Sequence, residues 1–191
     1  MSNKIENEIV SALITPKVHS KIMEYAQASN IEISGFGSVN PQTGVIYRLL
    51  PLFYQKAHST ETVIDSDILR QLTESGQSVS TNVWWHSHGN FPCFWSGGSG
   101  DEGTIEEMGR TYPWLISIVV NKKREYKARF DLFKPYRLTH ELKLLFKWEI
   151  PFKEIEAIRQ EVKDKVKEVA VYIPKKEDTK TYKGLHSTWM G

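Results

Sequence analysis

The chain has 191 residues, a length that suits one domain of ordinary size with some appended structure. Hydrophobic residues make up 40% and aromatic residues 12%, enough for a proper core, while a net charge of +2 argues against a strongly basic nucleic-acid binder. A single cysteine, Cys93, excludes an internal disulfide and an all-cysteine zinc site, and it fits a reducing compartment.

The first eight residues are polar and mixed in charge, without the apolar run of a signal peptide, and no later stretch approaches the length of a membrane span. The expectation is a soluble, cytoplasmic protein with no membrane partner. Pro16 to about Ala28 reads as a helix, with Val18, Ile22, Tyr25 and Ala26 on one face and Pro16 in the first turn. Residues 31–39 are extended, 40–44 form a turn cluster, and 45–53 read as the returning strand of a hairpin. A second helix is expected over 66–74, with Ile68, Leu69 and Leu72 inward and Asp65 or Ser66 as its cap. Residues 80–88 form a strand ending on two histidines, and 102–109 a short helix. Residues 114–120 and 126–133 make a second hairpin, whose second strand sets Tyr126, Ala128, Phe130 and Leu132 against Lys127, Arg129 and Asp131.

The remainder reads as helical and charged. Leu138, Leu142, Leu145 and Phe146 share a helical face, and Ile155, Ile158, Val162, Val166 and Val169 recur at spacings of three and four. That narrow stripe suits a helix lying across the domain; a homodimer seam through the C-terminal helices is the alternative. The tail from 174 to 191 is polar and irregular. The organisation expected is one α/β domain over 1–135 with a helical C-terminal extension, 136–191, packed on it.

The chemistry concentrates in Trp84-Trp85-His86-Ser87-His88-Gly89-Asn90-Phe91-Pro92-Cys93-Phe94-Trp95-Ser96, followed by Asp101. On a strand, residues i and i+2 share a face, so His86 and His88 aim at one point while Ser87 faces away. Imidazole and carboxylate ligands suit zinc, and three protein ligands leave one position open for water. A zinc hydrolase also needs a base and an oxyanion donor. Asp101 is the nearest later carboxylate that a glycine-rich loop could return to the histidines. Ser96 is the obvious hydroxyl donor, and Glu32, set between Ile31 and Ile33, is the candidate base.

The pattern Glu32-x-x-Gly35, then His86-Ser87-His88, then Ser96 and a later aspartate, resembles the JAMM (MPN-plus, JAB) metalloprotease family. The likeness covers residues 16–133, and its tryptophan-rich flavour is closest to the prokaryotic and phage branch. It implies a cytidine-deaminase-like α/β fold, a curved mixed sheet flanked by helices. It further implies zinc-dependent hydrolysis of a peptide or isopeptide bond, often one attaching a ubiquitin-like protein. By position it assigns Zn2+ to His86, His88 and Asp101, the general base to Glu32 and the oxyanion side to Ser96.

Two departures stand out. The family places its aspartate three residues after the serine; here that position is Ser99, and the carboxylate follows at Asp101. Gly89 stands where many members carry proline. If the loop cannot bulge, the chain is instead a non-catalytic MPN-type scaffold or interaction module with an incomplete zinc site. Asp101 has a second reading as a helix N-cap, Glu32 as a surface charge, Ser96 as an ordinary loop hydroxyl, and the tryptophans with Phe94 as core and cleft wall. Cys93 reads as a small packed residue, or as a thiolate able to reach the open zinc position. His140-Glu141 begins a His-Glu-x-x-His motif, but Leu144 occupies its last place. A protein substrate is expected and nucleic acid is not; a DNA-associated module is the third class left open.

Overall fold

The computed structural model describes residues 11–58, 61–64, 81–145 and 152–168. The described elements are, in chain order, β1 (Ser11–Leu13), α1 (Pro16–Ala28), β2 (Ser34–Val39), β3 (Ile46–Leu49), β4 (Gln55–His58), β5 (Glu61–Ile64), β6 (Val83–Ser87), α2 (Asp101–Thr111), β7 (Trp114–Val120), β8 (Tyr126–Leu132), β9 (Leu138–Leu145), α3 (Phe152–Lys165) and β10 (Val166–Glu168). Seven strands form one sheet in the order β1-β9-β8-β7-β6-β2-β3, and a smaller sheet runs β10-β4-β5. The large sheet is mixed: β6–β7 and β1–β9 are parallel pairs and the rest antiparallel. It curls until its two edges meet, where Ile14 bridges Ile46 and the Thr15 N–H donates to the Ile46 carbonyl at 2.9 Å. The architecture is α/β, a curved mixed sheet flanked by helices, and among the described residues no helix is long and apolar enough to cross a membrane.

The alternation of β6 divides the interior in two. Val83 and Trp85 point into the main core with Val18, Ile22 and Tyr25 of α1 and Ile158 and Val162 of α3. Trp84 points the other way, into a second core with Phe36, Leu115 and Ile105 of α2. A parallel pair needs a crossover, and α2 is the one that joins β6 to β7. His86 shares Trp84's face, so it points toward α2. Trp85 lies across Gly35, where an added Cβ would sit 2.7 Å from its Nε1, and it stacks on Tyr25 with ring centroids 5.3 Å apart. The glycine of Glu32-x-x-Gly35 is therefore a space requirement set by the indole opposite.

Several expectations hold and some are corrected. The helix at Pro16–Ala28 and the hairpin of β7 and β8 form as read, and the 40–44 turn is closed by Asn40 Oδ1, which accepts the N–H groups of Gln42 and Thr43. The returning strand is shorter than 45–53, and the chain leaves it to build β4. The helix expected over 66–74 and the tail beyond 174 lie outside the described residues.

Leu138, Leu142 and Leu145 are not helical: they belong to β9, paired to β8 on one side and β1 on the other. Leu142 and Leu144 turn inward, whereas Leu138 and Leu145 are exposed, so the inward set follows the strand period of two. The i, i+4, i+7 spacing of these leucines mimicked a helix, and pairing on both edges of the segment decided otherwise. The later stripe is helical only to Lys165; Val166 opens β10, which runs parallel to β4. That helix lies across the domain, with Glu161 accepting from the Tyr25 hydroxyl of α1 and from Leu52 N–H at 2.9 Å.

Candidate metal centre

His86 is the fourth residue of β6 and His88 lies one residue past its end, where the His88 N–H donates to the Val120 carbonyl at 2.9 Å and extends the pairing with β7. Ser87, between them, faces the opposite side and accepts from the Ile33 N–H at 3.2 Å. Both imidazoles point at the first turn of α2. There Asp101 is the first helical residue, and Gly100 occupies the N-cap position without any side-chain cap. The N-cap reading of Asp101 is thereby corrected: its carboxylate turns away from the helix axis toward the histidines. The positive end of the helix dipole lies beside it and favours its charge.

The three groups converge. His86 Nε2 lies 3.1 Å from His88 Nε2 and 3.0 Å from Asp101 Oδ1, and His88 Nε2 lies 3.6 Å from Asp101 Oδ2. Ligands held tetrahedrally at about 2.0–2.1 Å from zinc are separated by about 3.3 Å, which these distances bracket. All three residues are buried, and they form a group of nitrogen and carboxylate donors that could hold a metal ion. His88 Nδ1 donates to the Pro92 carbonyl at 3.0 Å, which leaves the Nε2 lone pair facing its partners. The His86 ring stacks on Trp84, centroids 4.4 Å apart, and Trp84 is itself fixed by donating from Nε1 to Ser34 Oγ. The donor set and its spacing fit a divalent metal ion, with the His88 ring oriented by its bond to Pro92.

Burial and the close approach of the three groups shift each of them. Burial lifts Asp101, but hydrogen bonds to His86 and His88 outweigh it and hold the carboxyl well below the usual carboxylate range. Burial pushes His86 below the ordinary imidazole value against the pull of Asp101. Burial also opposes charge on His88, yet Asp101, the Pro92 carbonyl and the charge of Glu32 together raise it.

Ser96 and Asp101 hold each other. Ser96 Oγ accepts the Asp101 N–H at 2.8 Å, and the Ser96 N–H donates to Asp101 Oδ2 at 2.8 Å. The bend between them turns at Gly98, with φ of +65°, and passes Gly100, where a Cβ would lie 2.3 Å from Ser96 Oγ. This bulge returns Asp101 to the histidines, and a glycine-rich loop is what makes so tight a turn.

Glu32 is half-buried just before β2. The β2–β6 register places Ser34 opposite His86, and the Ser87 N–H donates to Ile33 at 2.8 Å. Glu32 lies two residues before Ser34, on the approach to β2, near enough for its charge to act on His88. Glu32 stands beside the ligand group rather than in it. Trp84 and Trp85 are core, and Trp95 and Phe94 wall the site: Phe94 meets the His88 ring edge-on at 4.7 Å, with its other side exposed. The Cys93 thiol donates to the Glu125 carbonyl at 3.4 Å, and burial with the charge of Glu125 pushes it up to about 11, so it is a packed thiol.

The alternation of β8 left one feature unseen. Arg129 and Asp131, read as the polar side of a half-exposed strand, are buried under α2. The signal was available in the parallel pair β6–β7, since a crossover helix covers the second face of the sheet.

No family model matches the chain, and no curated protein does. Among solved structures it is similar to protein DSY2949 of Desulfitobacterium hafniense, a solution structure from a structural-genomics programme. The identity is 17%, the match covers 73% of this chain and 94% of that one, and the TM-score is 0.45.

Proposed function

We propose that this chain is a zinc-dependent metallopeptidase of the JAMM type, with the corresponding JAB/MPN arrangement of its sheet and helices. The reaction is hydrolysis of a peptide or isopeptide bond, including one that joins a ubiquitin-like protein through its C-terminal tail. The observation that carries the reading is the convergence of His86, His88 and Asp101 at zinc-ligand spacing, with the charge of Glu32 acting on His88. Zinc in such a three-ligand site supplies an acidified water and polarises a carbonyl. Glu32 is the base: it takes a proton from the attacking water and returns it to the leaving amine. Ser96 orients Asp101 through their reciprocal hydrogen bonds, and in this reading its remaining O–H is the donor to a developing oxyanion. Phe94 and Trp95 keep the centre partly apolar, which strengthens both effects.

The alternative is a non-catalytic MPN-type scaffold or interaction module with an incomplete zinc site; the approach of Asp101 to both histidines supports the enzyme reading over it. The test is zinc binding and turnover on the same preparations. The parent should bind one equivalent of zinc and cleave isopeptide- or peptide-linked tails, with both lost in His88→Ala. Glu32→Gln should keep the metal and lose about 10²–10⁴ in rate, the usual share of a general base. A parent that binds zinc yet cleaves no such bond would return the reading to the scaffold.

A further inference from the structure

Asp101 is carried by the most glycine-rich segment of the centre, the run Gly97-Gly98-Ser99-Gly100, in which an added Cβ at Gly97 or Gly98 would touch nothing within 4 Å. A glycine-rich loop loses much entropy on ordering. The reciprocal Ser96–Asp101 hydrogen bonds close it, and one buried group braces both ends from behind. The Arg129 guanidinium, on β8, forks onto the Glu102 carboxylate through Nη1 and Nη2, the second at 2.8 Å. Its flat face lies over Trp95, 4.7 Å from the ring centroid, while Nε donates to Asp131 at 2.9 Å. Glu102 adjoins the ligand Asp101; Trp95 adjoins Ser96 and packs against the His86 ring. Asp131 is anchored independently by Arg137 and by Thr139, so Arg129 is supported from beneath and fixed in direction.

We propose that Arg129 is the positioning residue for the third ligand: by clamping Glu102 and Trp95 together it presets the Asp101 carboxylate against His86 and His88. A planar fork that also stacks is needed for this, and a lysine ammonium cannot serve both partners at once. The inference rests on the metal-centre part of the reading above and is independent of the bond cleaved.

The experiment measures affinity for Zn2+ alone, by competition with a chromophoric chelator, on the full chain and three variants, together with the urea midpoint of each metal-free protein. Arg129→Met should bind zinc about 10- to 100-fold more weakly, as does loss of a group that orients a ligand. Arg129→Lys should recover the midpoint more than the affinity. Glu102→Gln keeps the buried guanidinium paired with Asp131 and alters a partly exposed side chain, so it is the variant that decides should Arg129→Met fail to fold, and its affinity should still fall several-fold. A merely structural role would lower midpoints and leave the affinity of the folded protein alone. Folded Glu102→Gln binding zinc within about twofold of the parent overturns the proposal, as does a parent that binds no zinc. Weakened zinc binding in the variants of a parent that cleaves nothing upholds it while removing the proposed function.

Discussion

His19 gives the sharpest stability prediction, because its burial has a fixed sign. The residue lies on α1 with 3% of its surface exposed and its ring edge-on to Tyr126. Burial, helped by the charge of Arg124, lowers its pKa from 6.5 to about 4. Between those values the unfolded chain binds a proton there and the folded chain does not, so stability rises with pH through the window. Above about pH 6.5 the group is neutral in both states and contributes no slope; as pH falls toward 4 it favours unfolding. The shift is about 2.5 units, and at 1.36 kcal/mol per unit it costs about 3 kcal/mol by pH 4, a large share of the 5–15 kcal/mol typical of a domain. The assay is urea unfolding at steps of about one pH unit from about 7.5 to 4.5, for the parent and His19→Gln, with chelator in both so that the metal ligands titrate alike. The variant is expected to be less stable at neutral pH, and its deficit should shrink by about 1.4 kcal/mol per unit below about pH 6.5. Added salt should barely change that slope, since burial is the larger cause and Arg124 is already paired with Glu24. Curves that stay parallel across the window would refute the reasoning.

Gly35→Ala should cost about 1–3 kcal/mol, since its Cβ would meet Trp85 atoms at 2.7–2.8 Å and the ring is backed by Tyr25; an unchanged urea midpoint would mean that the indole can slide. Tyr25→Phe removes a hydrogen bond to the Glu161 carboxylate, which keeps Leu52 and Lys165, and about 1.5 kcal/mol should be lost; no change in thermal midpoint would show that α3 is held by apolar packing alone. Cys93→Ala should leave zinc affinity unchanged, because the thiol is bonded to Glu125 and is not ionised at neutral pH; an affinity that shifts in chelator competition would mean that the sulfur reaches the metal.

The parts of the fold legible from sequence are those where one periodicity had no rival. Val18, Ile22, Tyr25 and Ala26 can share a face only on a helix, and the turn chemistry of residues 40–44 and 121–124 fixed two hairpins. Residues 138–145 satisfied both periods, and the choice was made by pairing on both edges, with neighbouring β8 and with β1 more than a hundred residues away. β4 escaped for a related reason. Gln55-Lys56-Ala57-His58 is polar in composition, yet Gln55 is buried because its side chain bonds both backbone groups of Ser34. A buried polar residue satisfied by a distant backbone leaves no mark in a hydrophobic pattern.

The metal centre was legible to a different degree at each residue, according to how local its geometry is. His86 and His88 share a strand, so their convergence follows from the two-residue repeat alone. Glu32 needed the β2–β6 register, which the apolar flanks only suggest. Asp101 needed a loop to bulge, and Gly98 with Gly100 made that readable as a permission rather than as a position. Arg129 and Glu102 needed the packing of a helix on a sheet, which no spacing encodes. The order matters physically. Two ligands on a rigid strand are preorganised by the fold, whereas the third is ordered at a cost in loop entropy. A half-buried salt bridge set behind that loop is where such a cost can be met, because Arg129 and Glu102 strengthen each other only when the loop is in place. Metal affinity should therefore be more sensitive to changes around Asp101 than to equally conservative changes around the two histidines, since only the former have an ordering free energy left to lose.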